Sequence, residues 1–113
     1  MRIENNPIDK LLNAFESNYR DTANRITKIQ FVYKIGRHIY GECVFNDDDT
    51  IQINIAIIGK RNRPIGVEDI TELLAHELAH AICGIEAEHG QVWEDTFERL
   101  RQLYIEEAQK EGQ

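Results

Sequence analysis

The chain has 113 residues, enough for a single domain with one modest core and too few for two. Its 42% hydrophobic and 29% charged residues describe an ordinary soluble globular protein, and a formal net charge of −7 argues against nonspecific binding to nucleic acid or to anionic membranes. No apolar run reaches membrane-spanning length, and the start from Met1 to Pro7 has no signal-peptide core, so a cytoplasmic monomer is the expectation.

The first element is a helix beginning near Pro7, with Asn6 as N-cap, Pro7 at the first helical position and Asp9 at the positive end. Ile8, Leu11, Leu12, Phe15 and Tyr19 fall on one helical stripe, which reads as core. Polar residues 21–25 read as a connection. Three strands follow. Residues 28–34 alternate with Ile29, Phe31 and Tyr33 on one face, and residues 38–45 carry Ile39, Gly41, Cys43 and Phe45 inward. The acidic turn from Asn46 to Asp49 has neither the Gly nor the distal Glu of an EF-hand, so it is a solvated turn. Residues 50–58 place Ile51, Ile53, Ile55 and Ile57 on one side, either as a core strand or as an edge to which an extended peptide adds. Cys43 and Cys83 have no C-x-x-C spacing and read as free, small, buried residues.

The loop from Gly59 to Pro64 is strongly basic in an acidic chain; it reads as a solvated loop, or as a cleft rim suited to an acidic or phosphorylated partner. A helix over residues 68–83 follows, ended by Gly84 in the left-handed conformation that C-terminal caps prefer. A last helix over residues 90–107 carries Trp93, Phe97, Leu100 and Tyr104 at helical spacing.

The first of these two helices holds His76, Glu77 and His80 in the pattern H-E-x-x-H. Residues four apart stand one above the other on a helix, so the two imidazoles can aim at one point, as two corners of a tetrahedral zinc site require. Glu77 lies beside that point, within reach of a metal-bound water. Four His and 13 Glu in 113 residues give about 0.02 chance occurrences of the pattern, so accident is a poor explanation. The helix is also apolar through Leu73, Leu74, Leu78 and Ile82, and buried imidazoles need partners that a metal supplies at once. The break at Gly84 lets the chain fold back with a third ligand. His89 is the first choice; Glu86, Glu88, Glu94 and Glu98 compete, since zinc also accepts a carboxylate. His38, at a strand start, reads as a surface residue. The metzincin spacing fails, because Cys83 and Glu86 stand where it requires Gly and His.

The segment from Glu72 to Ala81, followed by Glu88-His89-Gly90-Gln91-Val92-Trp93, resembles the SprT-like metallopeptidases and the related WLM and minigluzincin group. Those families share an H-E-L-x-H helix and a downstream H-G-x-x-aromatic segment. The resemblance implies a minimal zincin core of α+β class spanning residues 1–113: an N-terminal helix, a three-stranded mainly antiparallel sheet, the H-E-x-x-H helix and a C-terminal helix. It further implies zinc on His76, His80 and His89, Glu77 as general base, and a protein or peptide substrate. The cysteine-rich zinc ribbon and basic DNA-binding regions of longer SprT-like proteins are lacking, so a protease core alone is expected, without direct binding of nucleic acid. Two other readings stand beside it. One is a repressor-cleaving peptidase of the ImmA/IrrE kind, with an acidic third ligand; the other is a non-catalytic module stabilised by a closed zinc site.

Overall fold

The computed structural model describes residues 7–84 and 89–111. Asn6, Glu86 and Glu88, invoked above as a cap and as competing ligands, lie outside the described residues. Helix α1 (Pro7–Asn18) buries Leu11 and Phe15 from the stripe read from the sequence, together with Ala14. Its end is tied by the Asn18 side-chain amide, which donates to the Ala14 carbonyl at 2.8 Å. Tyr19 and Ala23 continue the helical hydrogen-bond ladder, and the chain re-enters a short helix, α2 (Arg20–Arg25), where a plain connection was expected. That helix buries nothing, so it leaves no apolar periodicity for a sequence reading to detect.

Strands β1 (Ile26–Val32), β2 (Gly41–Phe45) and β3 (Ile51–Ala56) form one mixed sheet in the order β1-β3-β2. A tight turn joins β2 to β3 antiparallel, with Cys43 opposite Ile53 and Gly41 opposite Ile55; β1 pairs parallel on the other side, Ile29 beside Ile53. The turn is closed by Asn46 and Thr50, and Arg25 reaches Asp49 at 2.9 Å, as a solvated turn allows. The central place falls to the strand best able to lose water from both flanks. Ile51, Ile53 and Ile55 are wholly buried. Residues 50–58 therefore supply no free edge for an incoming peptide; the free edges belong to β1 and β2. On the outer sheet face a polar ladder crosses the strands, Gln52 donating to Gln30 (3.3 Å) and Asn54 donating to Glu42 (2.8 Å).

Helix α3 (Val67–Cys83) lies on the inner face against β2 and β3, and α1 and α4 (Gln91–Glu111) pack against it and against each other. Leu74 and Leu78 of α3 and Leu100 of α4 are fully buried at this junction. Each such leucine contributes about 1.5–3 kcal/mol relative to exposure. Gly84 stops α3, its N–H on the His80 carbonyl, with φ 93 as anticipated. Its ψ of 166 places it outside the left-handed helical well, in an extended conformation open essentially to glycine alone. The chain therefore leaves α3 abruptly instead of curling through a further turn. Among the described residues no helix is long and apolar enough to cross a membrane.

Candidate metal centre

His76 and His80 stand one turn apart on α3, and His89 comes back onto them just before α4 begins. Their Nε2 atoms form a triangle with sides of 3.2 Å (His76–His80), 2.9 Å (His80–His89) and 3.1 Å (His76–His89). Linear hydrogen bonds cannot run along all three sides of so small a triangle, because each nitrogen offers either one proton or one lone pair. One cation facing three lone pairs resolves the conflict. Ligands about 2.0–2.1 Å from a tetrahedral ion stand about 3.3 Å apart, within a few tenths of an ångström of the observed sides. Among the described residues, His76, His80 and His89 are the group that could hold a metal ion.

The electrostatics favour the neutral imidazoles that metals require. Burial, reinforced by the neighbouring His80 and His89, brings His76 down to about 4. Burial and His89 also lower His80. The rings are held by aromatic side chains of α4: the Trp93 ring lies 4.7 Å from His76, 5.4 Å from His80 and 4.8 Å from His89, and Phe97 lies tilted against Trp93 at 5.1 Å. The apolar stripe of the last helix is thus also the wall of the site. Trp93 Nε1 is buried and finds no partner among the described residues.

Glu77 reaches β2 and is only 6% exposed. A side chain on Gly41 would start 2.8 Å from its Oε2. Burial, with the Glu42 carboxylate second, pushes Glu77 up to about 7. The approach of Gly41 and the influence of Glu42 were not foreseen, since nothing in residues 40–43 distinguishes them from any other strand start.

The other ligand candidates among the described residues do not join the cluster. Glu98 pairs with Arg101 at 3.2 Å, and Glu94 is exposed. His38 is exposed with φ 62. Cys43 is half-buried in β2, and the Cys83 thiol lies 3.3 Å from the Thr96 hydroxyl. Beside His76 opens a cleft of about 540 Å³ lined by Tyr40, Leu73, Phe97, Ile65, Lys60 and Arg63.

A compact α+β fold with three converging imidazoles, two from an H-E-x-x-H helix, defines a zincin-like domain with a site able to hold a metal ion. The sequence matches the SprT-like family model over residues 8–111. The chain belongs to the SprT-like family. No curated protein and no solved structure matches the chain.

Proposed function

We propose that the protein is a zinc-dependent metallopeptidase, with zinc on His76, His80 and His89 and Glu77 as general base. The observation that carries this reading is the buried Glu77 carboxyl, next in sequence to His76 and on the same helix as His80, two members of a three-imidazole cluster. A structural zinc site has no use for such a group, whereas hydrolysis does. When bound, zinc supplies a Lewis acid for the peptide carbonyl and brings the pKa of water toward neutrality. Three imidazoles would hold such an ion and leave it able to take up water or substrate. Glu77 takes the proton of the attacking water and returns it to the departing amine, a role suited to a carboxyl whose pKa lies near 7. The outer edge of β2, carrying Gly41 against Glu77, offers unpaired backbone groups to an extended peptide.

Replacing Glu77 by Gln tests the assignment. We expect zinc content to stay at the parent level and peptide cleavage to fall by at least about 10³-fold, the scale on which general acid–base groups act. Equal cleavage rates in E77Q and parent would sink the mechanism. Zinc content in H89A separates the histidine ligand set from one completed by an acidic residue: it should collapse, and retention of zinc would overturn the three-histidine assignment.

A further inference from the structure

Five of the chain's 13 Lys and Arg residues, Lys34, Arg37, Lys60, Arg61 and Arg63, sit in two connections, residues 33–40 between β1 and β2 and residues 57–66 between β3 and α3. Neither connection contains an Asp or Glu. In a chain with 20 acidic side chains, that segregation leaves Arg37, Lys60, Arg61 and Arg63 without an ion pair among the described residues. The Lys34 ammonium donates to the Asn62 side-chain carbonyl and ties the two connections together, while within the second the Gly59 N–H donates to the Arg63 carbonyl at 2.8 Å. His38, Arg61 and Asn62 all have positive φ (62, 57 and 56), a backbone state that side-chain-bearing residues adopt when their surroundings enforce it. The cations are therefore presented by a braced surface.

That surface is continuous with the metal centre. The cleft beside His76 ends at Lys60 and Arg63. A second cleft, of about 650 Å³, shares Tyr40, Gly59 and Lys60 with the first and extends to Lys34, Arg37 and Arg61. Its other walls include Ile35, Ile39 and Ile58. Together they form one trough, apolar along its walls and cationic toward its far end.

We propose that this trough selects protein substrates by a segment in which acidic residues alternate with large apolar ones, laid from the metal centre past Lys60 to Arg37. The inference rests on the peptidase reading and names its substrate class. Asp69 and Glu72 line the α3 wall of the first cleft, so the preference for acids falls beyond the residues that flank the cleaved bond. The apolar walls favour a peptide that carries large apolar side chains over a nucleic acid, whose binding depends on a broad positive field.

Binding to zinc-loaded E77Q tests this without turnover. Fluorescent peptides sharing one apolar sequence would carry acidic, neutral or basic residues on either side of it. Acidic peptides should bind at least about tenfold tighter than neutral ones at about 50 mM salt, and the advantage should shrink strongly by about 300 mM. R37E/R61E, placed on the exposed loops, should abolish or reverse the preference, whereas R20E/R99E, with the same change in net charge elsewhere on the surface, should keep it. Circular dichroism, with R37Q/R61Q as a milder pair, keeps loss of binding distinct from loss of fold. Equal binding of acidic and neutral peptides, or an unchanged preference in folded R37E/R61E, overturns the proposal. So does tighter binding of a single-stranded oligonucleotide than of an acidic peptide of equal charge. Absence of cleavage by the parent chain overturns the peptidase reading alone, because the binding comparison does not depend on turnover.

Discussion

Gly41 governs the position of a side chain it does not neighbour in sequence. A methyl group there would stand 2.8 Å from Oε2 and 3.2 Å from Cγ of Glu77. The nearest of these atoms ends a flexible side chain, so G41A should displace the carboxylate before it displaces β2. We expect G41A to fold within about 1 kcal/mol of the parent and to bind zinc normally. Its kcat/KM should fall roughly 10²-fold, the cost of misplacing a reacting group by about an ångström. Unaltered activity would show that the Glu77 carboxyl does not work from this position. Cys43, two residues on, carries the pH dependence most open to direct measurement. Burial first, then the Glu77 carboxylate, pushes its thiol up to about 12, with Arg25 pulling the other way. Between 9.0 and about 12 the folded chain keeps a proton that the unfolded chain releases. The stability held by the Cys43 thiol is therefore complete below pH 9.0 and is lost as pH rises through about 12. At pH 8 iodoacetamide should modify folded Cys43 roughly 10³-fold more slowly than denatured Cys43, since the thiolate is the reacting form. C43A should remove the alkaline loss of stability, and equal modification of folded and denatured chains would contradict the burial argument.

At the scale of elements, α4 is both the outer brace of the core and the support of the imidazoles. Leu100 anchors it, while Trp93, two turns earlier, touches all three histidine rings. Supports of this kind are worth about 10–100-fold in metal affinity. W93A should lose that much zinc affinity in competition with a chromophoric chelator, and W93F, which keeps a ring, should recover most of it. Loss in W93F as large as in W93A would assign the effect to the indole N–H instead. The stripe on α4 was legible because helical spacing, bulk and burial agreed along it. The small helix α2 was not, because it is stabilised by continuing the α1 ladder through Tyr19 and Ala23 and buries no face. The alternation of isoleucines in β3 announced a strand but not its place in the sheet. Alternation records which face is buried, whereas pairing on both edges is decided by where β1 comes to lie.

For the whole molecule, the division between what the sequence announced and what it concealed follows the distance over which each part of the site is assembled. His76 and His80 were readable from helical period alone. His89 required only a helix stop and a short return, and Gly84 signals the stop. Tyr40, Gly41 and Glu42 come from the start of β2, far from α3 in sequence, and no local pattern marks a residue whose importance is the absence of a Cβ. The same division has a practical side. The three imidazoles and the indole that supports them lie within one short stretch of chain, from His76 to Trp93, whereas the free β2 edge and the seat of Glu77 exist only once β2 is paired in register with β3. Metal uptake therefore reports on the helical half of the protein. On the peptidase reading, a preparation whose sheet is misassembled would carry its full complement of metal and still be inert, so metal stoichiometry would be a poor measure of the active fraction.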